Sequence, residues 1–284
     1  MKTNLLRTGV VLFTSTLICF SCHQKPKVQE NKGTNSKGQT ASVEVGIFDA
    51  VKLKDDIVGI IKTAPKPKDL ANFINETGAT YITNFSLPLQ DDEKYIAQVD
   101  MCLASGMFSF DALYAKAFNR YDVALQTREV IRKLNRKLGL DVEMAKMDVY
   151  NERIKQNKDN SDSLNTIIPE MMNQVPQVIS TGGHPAIYGL TFVGANIEGL
   201  YILTQVALMA KDNSKFLQLI AKQKERVSSN YMLLELMAAD ASVAPIFEKM
   251  KPIMAYFTKN QEFTSSQLSE VALLIEQLRK EIVK

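Results

Sequence analysis

The segment from Gly189 to Ala210 constrains the fold more than any other part of the chain, because it is apolar over almost its whole length. It is long enough to cross a bilayer, but it contains Asn196, Glu198 and Gln205. An acidic side chain near the middle of a bilayer costs several kcal/mol, which argues against a membrane span. A helix that is apolar on nearly every side is otherwise the buried centre of a helical bundle. The segment therefore predicts an all-α domain built around a central apolar helix.

Helical spacing continues through the rest of the chain from Val43 onward and is clearest in the last segment. Thr264 and Gln267 there are spaced as a capping box, and Glu276 and Lys280 as an i,i+4 ion pair. Apolar residues recur after them at alternating steps of three and four, which places them on one face of a helix. These residues are Leu268, Val271, Ile275, Leu278 and Ile282.

Residues 79–85 are the one stretch that reads well as a β-strand, and Pro88 follows them. We expect an extended connector between helices there, with a short strand as the alternative. The remaining pattern predicts roughly nine to eleven helices joined by short loops. The predicted fold is therefore an irregular bundle of antiparallel helical hairpins, formed by residues 43–284 around the central helix.

Glycine, proline and capping residues set the predicted helix boundaries. We expect Asp91 to cap a helix that Gly106 ends. Pro169 and Pro176 are expected to interrupt another helix. A single long helix is predicted from Ser214 to Leu236.

Glu198 is the residue of the central helix that most needs a partner, because a carboxylate is almost never buried unpaired. The candidate partners are Arg120, Arg128 and Arg153, or tyrosine and asparagine side chains. One hypothesis is an internal ion pair or hydrogen-bonded cluster that fixes the register of the helices. The alternative is a ligand-binding cavity beside the carboxylate. In both cases the candidate site residues are Glu198, Asn196, Tyr201, Asp111 and Tyr114.

No motif of an enzyme or a metal site is visible in the folded part. Residues 179–185 contain two glycines, but they match neither phosphate-binding pattern and follow no predicted strand. We interpret them as a helix end followed by a proline in the first turn of the next helix. His184 and Cys102 are the only histidine and cysteine from Val43 onward, too few for a His/Cys zinc site, and Cys102 is expected to be buried. We expect no catalytic residue, no metal and no cofactor.

A run of basic residues lies at helical spacing: Arg128, Arg132 and Arg136, with Lys133 and Lys137. Such a run is usually a solvated helix face. The alternative is a surface for an anionic lipid head group or an acidic partner.

The N-terminus has the composition of a bacterial signal peptide. Lys2 and Arg7 precede an apolar run, from Thr8 to Phe20, that is too short to span a bilayer. The run ends at Cys22 after a small residue, which resembles the lipobox of bacterial lipoproteins. Phe20 and Cys19 depart from the usual lipobox residues at their positions.

This resemblance implies that residues 1–21 are a signal peptide and that Cys22 accepts a lipid anchor. A plain cleaved signal and an uncleaved anchor are the alternatives. Residues 22–42 are polar and are predicted to form a disordered tether. The signal carries a net charge of +2 and the tether +3, so residues 43–284 carry −2 of the chain's total of +3. We therefore expect no nucleic-acid partner; the expected partners are the membrane, through the anchor, and another envelope protein.

Four short phrases stand out in the folded part: Tyr81-Ile82 with Phe85 before Pro88, Asp111 to Ala115 after Gly106, Leu138-Gly139, and Asn196 to Ile202. They resemble phrases of a family of uncharacterised helical lipoproteins of Gram-negative bacteria. The resemblance implies a helical fold and carries no activity. Because His23 rather than an aspartate follows Cys22, it also implies the outer membrane, facing the periplasm, with the cell surface as the alternative. The expected function is a non-catalytic, lipid-anchored binding or scaffold protein, or alternatively a small-molecule carrier or sensor.

Overall fold

Residues 50–284 are described by a computed structural model, and within this range the chain forms eleven α-helices and two 3₁₀ turns without a β-strand. The all-α prediction is confirmed. The predicted signal peptide, Cys22 and the tether lie outside the described residues. The 3₁₀ turns are Thr83–Phe85 and Leu89–Glu93. In chain order the α-helices are α1 Ala50–Thr63, α2 Pro67–Glu76, α3 Gln98–Ala117, α4 Tyr121–Lys137, α5 Asp141–Gln156, α6 Ser161–Thr181, α7 Pro185–Met209, α8 Ser214–Ala221, α9 Lys224–Met237, α10 Ala244–Lys259 and α11 Ser265–Ile282.

Helix α7 is the predicted central helix, and it packs against α1, α2, α3, α8, α9 and α11. Among the described residues it alone is long and apolar enough to cross a membrane, but most of its length is buried inside the protein. That burial is what a core helix requires, since an all-round apolar surface is stable only where other helices cover it. The antiparallel direction of the helix pairs stays a prediction.

Helices α3 and α7 approach each other closely at two glycines. A Cβ atom on Gly194 would lie 2.1 Å from the Leu103 carbonyl oxygen, and one on Gly106 would lie 1.9 Å from the Thr191 carbonyl oxygen. Neither space admits a side chain. The prediction that Gly106 ends a helix was therefore wrong: α3 continues through it, and the glycine serves the contact between the two helices.

Three other predicted boundaries were also wrong. Asp91 lies in a 3₁₀ turn, and α3 begins later, at Gln98. Helix α6 runs without interruption through Pro169 and Pro176, because a proline removes only one backbone donor from a helix that is otherwise bonded and packed.

The helix predicted from Ser214 to Leu236 is divided into α8 and α9. At the break, the Gln223 side-chain amide donates to the Leu219 carbonyl oxygen at 2.8 Å. A side chain that satisfies a terminal carbonyl in this way replaces the backbone bond of a continuing helix.

Helix α11 matches its prediction in detail. Thr264 and Gln267 form the complete capping box, and the Lys280 ammonium lies 2.6 Å from the Glu276 carboxylate. The predicted apolar residues are all buried against the body of the protein. They are Leu268, Val271, Ile275, Leu278 and Ile282.

The apolar side chains form two separate cores. The large one surrounds α7, whereas a small one of Ile154, Leu164 and Ile167 holds α5 and α6 together. Tyr121 and Leu125 of α4 also pack against this small core, so it joins the α5–α6 pair to α4. Residues 79–85, predicted as an extended connector, are irregular and end in the first 3₁₀ turn rather than forming a strand.

Candidate functional site

Glu198 is completely buried in α7 and forms an ion pair with Arg279 of α11. Arg279 Nε donates to Glu198 Oε2 and Arg279 Nη2 donates to Oε1, each at 2.7 Å. Two parallel bonds between a guanidinium and a carboxylate are the strongest geometry for such a pair. The predicted buried partner of Glu198 is therefore an arginine, and both carboxylate oxygens are occupied.

The three arginines named from the sequence are not that partner. Arg120 pairs with Asp122 at 3.5 Å, and Arg153 pairs with Glu170 at 2.6 Å. Arg128 donates to the side-chain oxygen of Asn151. This part of the prediction was wrong because the choice rested on residue type alone, and Arg279 belongs to a helix 81 residues away.

Arg279 also touches two other elements. Its guanidinium carbon lies 4.2 Å from the ring centre of Tyr201, the predicted candidate one turn after Glu198. Its Nη2 atom donates to the Phe85 carbonyl oxygen at 3.3 Å. The pair therefore joins α7, α11 and the connector before α3.

Asp111 of α3 is the second buried acid of this region. Its Oδ2 atom accepts the Leu87 backbone N–H at 2.9 Å, whereas Oδ1 has no hydrogen-bond partner. Burial, followed by the negative charge of Glu198, raises the pKa of Asp111 well above its usual range, against the lowering effects of the Leu87 N–H and Arg279. The buried Ser86 hydroxyl lies near Asp111 and the Tyr81 hydroxyl and opposes the rise in both pKa values, although none of these groups forms a hydrogen bond of good geometry with another. Burial thus favours the protonated form of Asp111, whereas at Glu198, whose pKa burial also raises, the ion pair with Arg279 opposes this effect.

Tyr114 fastens the connector to α3. Its hydroxyl oxygen accepts the Ile82 backbone N–H at 3.1 Å, and its ring centre lies 4.9 Å from that of Tyr81. Burial raises the pKa of Tyr114 to about 12, so it stays a neutral phenol. The Tyr114 hydroxyl oxygen is therefore used in a structural hydrogen bond.

Asn196 belongs to a different buried cluster, on α7 and α9. Its amide nitrogen donates to Asn230 Oδ1 at 2.9 Å, and its oxygen accepts from Arg226 Nη1 at 2.6 Å. Arg226 also donates to Gln223 and to the backbone carbonyl oxygens of Pro65 and Lys66. Four of the predicted residues thus lie around the ion pair and its connector, and Asn196 does not.

A cavity of about 300 Å³ lies elsewhere, between α3, α4, α5, α6 and α7, and Glu198 is not among its lining residues. We call it the α3–α7 cavity. It sits where the α5–α6 pair faces the main body. Most of its wall is apolar. The principal apolar lining residues are Leu113, Ile131, Leu140, Met144, Met147, Ile168 and Met171.

Two polar places can be distinguished in the α3–α7 cavity, apart from the lining residues Ser109, Lys116, Asn135 and Thr191. Arg128 and Arg132 of α4 lie beside Asn151, and Glu143 lies beside Tyr188. The predicted basic run is therefore divided, because its first two arginines are only partly exposed and line the cavity. Its other members, Lys133, Arg136 and Lys137, lie in the solvent.

Sequence reasoning missed this cavity, since its walls come from five helices. A signal was nevertheless present: Met144 and Met147 share one face of α5, and methionine adapts to irregular apolar spaces. Of the other predicted residues, Cys102 is buried and burial raises its pKa to about 12, so it has no reactive thiolate. His184 is exposed immediately before α7. No group of three or more His, Cys, Asp or Glu side chains in the described part of the chain is placed to hold a metal ion.

The chain matches no protein-family model, no curated protein and no solved structure. The two buried polar clusters and the α3–α7 cavity are therefore the observations on which a function can be argued.

Proposed function

We propose that this protein is a non-catalytic binding protein of the cell envelope that holds a small apolar molecule in the α3–α7 cavity. The cavity itself carries the proposal, because its volume of about 300 Å³ and its apolar wall match those of small-molecule sites. The lipid anchor at Cys22, at the outer membrane and facing the periplasm, is part of the same proposal.

The cavity is a better candidate for binding than the surroundings of Glu198. Both oxygens of Glu198 are bonded to Arg279, so a ligand there would have to replace a bidentate ion pair. In the α3–α7 cavity a ligand would instead contact the apolar lining side chains without displacing that ion pair. We therefore propose a carrier or sensor role at this cavity in place of the one expected beside Glu198.

The position of the cavity also supports binding and release. One wall is the α5–α6 pair, which has its own small core, and the other is the main body. The small core is tied to the main body through Tyr121 and Leu125 of α4, and local opening at these partly buried contacts exposes less apolar surface than opening the large core. The pair α5–α6 is thus the element that we expect to admit the molecule.

The test is a titration with the neutral dye N-phenylnaphthylamine, whose fluorescence rises in apolar sites. The sample is the chain from residue 22 onward with Cys22→Ser, which removes the lipid-accepting thiol. We expect saturable binding at one site. Ala112→Met, which fills the cavity, should weaken binding about tenfold, in line with the loss of contacts worth about 1.4 kcal/mol.

Ala145→Met is the matched control, because Ala145 lies on α5 and is exposed. It should bind the dye as the parent does. Absence of saturable binding in the parent, or equal binding by Ala112→Met, would contradict the proposal.

A further inference from the structure

The basic end of the α3–α7 cavity contains a guanidinium with unused donors. Arg128 is largely withdrawn from solvent; its Nη2 atom donates to Asn151 and lies 3.3 Å from the Met171 sulfur. Among the described residues no carboxylate is hydrogen-bonded to it. Burial lowers its pKa to about 10, so the group is still a cation near neutral pH. A buried cation bonded only to neutral groups is costly, and an anion beside it would offset that cost.

Arg132, one turn further along α4, is also incompletely bonded. Its Nε atom is buried without a hydrogen-bond partner. Its terminal nitrogens lie 3.6 Å from the Glu129 carboxylate and 3.7 Å from that of Asp148, which is longer than a hydrogen bond. Arg132 therefore has a donor without a hydrogen bond, and both arginines line the cavity.

The two arginines and Asn151 lie at a junction of two cavities. They line both the α3–α7 cavity and a smaller one of about 220 Å³, whose other lining residues include Gln126, Glu129 and Lys155. The smaller cavity also has Leu125 and Ile154 in its wall, so its charged and amide groups stand beside apolar side chains. A molecule with an apolar chain and a charged head matches this arrangement.

Arg128 is the group that favours an anion, because its hydrogen bonds go to the neutral Asn151 and Met171, whereas Glu129 and Asp148 already lie beside Arg132. Lys116, Arg128 and Arg132 line the α3–α7 cavity, and Glu143 is its single acidic lining residue. Glu143 lies at the other polar place, close to the Tyr188 hydroxyl, whose pKa is raised by burial and then by this carboxylate. The methionines of α5 and α6 lie along the apolar wall, where they can adapt to a flexible chain.

We propose that the α3–α7 cavity binds a single-chain amphiphile whose anionic head, a carboxylate or a phosphate ester, pairs with Arg128 and Arg132. The chain lies along Met144, Met147 and Met171. This inference rests on the proposed function, since it names the class of molecule that the same cavity holds.

The test is displacement of N-phenylnaphthylamine from the residue 22–284 chain with Cys22→Ser by decanoate, decyl phosphate and decanol. These three share the chain and differ in the head. We expect at least one of the two anions to bind about tenfold more tightly than decanol, as a charge-assisted hydrogen bond predicts. The tighter anion distinguishes a fatty acid from a phosphate-bearing lipid as the source of the head group.

Variants locate the effect. Arg132→Met and Arg128→Met should each abolish most of the preference for the anion while decanol binds as before. Arg136→Met is the matched control, because Arg136 is on the same helix but exposed, and it should keep the preference. Glu143→Gln, which removes the negative charge from the cavity, should tighten anion binding without changing decanol.

The outcomes separate the two proposals. Dye binding together with equal affinities for decanol and both anions overturns the anionic ligand and leaves the proposed function standing. No dye binding overturns both. If circular dichroism shows that an arginine variant fails to fold, two measurements still test the anionic ligand. They are the preference of the parent for an anion over decanol and the change in anion affinity in Glu143→Gln.

Discussion

Glu198 and Arg279 join the central helix to the last described helix through two hydrogen bonds of 2.7 Å across a sequence distance of 81 residues. The carboxylate is fully buried and the arginine side chain is 14% exposed. The ion pair is thus largely shielded from water, and it holds α7, α11 and the connector together.

Glu198→Gln should destabilise the protein, because it keeps the shape of the side chain but leaves the Arg279 charge uncompensated. Breaking a buried pair costs about 3–5 kcal/mol, and we expect a value near 3 kcal/mol because Gln still accepts one bond and Asp111 lies near. The measurement is the midpoint of urea unfolding. Glu276→Gln, which breaks an exposed pair on α11, is the control and should cost less than about 1 kcal/mol. An unchanged or raised midpoint in Glu198→Gln would refute a stabilising role for the pair.

Asp111→Asn should change how stability depends on pH. Burial and Glu198 raise the pKa of Asp111 in the folded state, so the folded protein binds more protons than the unfolded chain above the ordinary aspartate pKa. Stability from this group is therefore present at low pH and is lost as pH rises toward the folded pKa, by about 1.4 kcal/mol per pH unit. Asp111→Asn has no carboxyl group at this position, so its stability does not fall with rising pH for this reason.

The measurement for Asp111→Asn is urea unfolding near pH 5 and near pH 8. The free energy of unfolding of the variant, relative to the parent, should be greater near pH 8. Asp159→Asn, at an exposed position, should leave the pH dependence of the parent unchanged. A constant difference between Asp111→Asn and the parent at both pH values would show that Asp111 ionises normally.

Gly194→Ala should disrupt the contact between α3 and α7, since its new methyl group would lie 2.1 Å from the Leu103 carbonyl oxygen. We expect a loss of about 2 kcal/mol or more, because overpacking outweighs the better helix propensity of alanine. Gly59→Ala is the matched control: Gly59 lies inside α1 and a Cβ there would meet nothing within 4 Å. That change should raise the thermal unfolding midpoint slightly. Equal effects of the two substitutions would be inconsistent with a close helix contact at Gly194.

Cys22→Ser in the full chain should release the protein from membranes or leave its precursor uncut, because serine lacks the thiol that carries the lipid. Labelled palmitate should enter the parent and not the variant, as measured by gel fluorography of cell fractions. Cys102→Ser is the control, since Cys102 is buried in α3 and should still allow labelling. Equal labelling of the parent and Cys22→Ser would remove the lipobox assignment.

The parts of the fold that the sequence predicted are those governed by local patterns. The apolar spacing and capping box of α11 involve residues three or four apart, so they can be read without knowing the neighbours of the helix. The same is true of α7, whose uniform apolarity requires burial whatever covers it. The sequence therefore predicted the central helix of the bundle, α7, and one of the helices that pack against it, α11.

The parts that were not predicted depend on contacts between distant segments. Glycine often ends a helix, so the sequence alone suggested that role for Gly106. Only the backbone of α7 beside it shows that Gly106 allows the close contact between α3 and α7. Arg279 could not be chosen among the arginines from its own surroundings in the sequence. The α3–α7 cavity needed the positions of five helices at once.

The ion pair has a consequence for the order in which the chain is made. Synthesis proceeds from the N-terminus, so Glu198 exists 81 residues before its partner Arg279. Until α11 docks, the carboxylate of α7 must either stay hydrated or take up a proton. The buried core around Glu198 is therefore complete only after the last helix, which carries Arg279, has docked on the central helix.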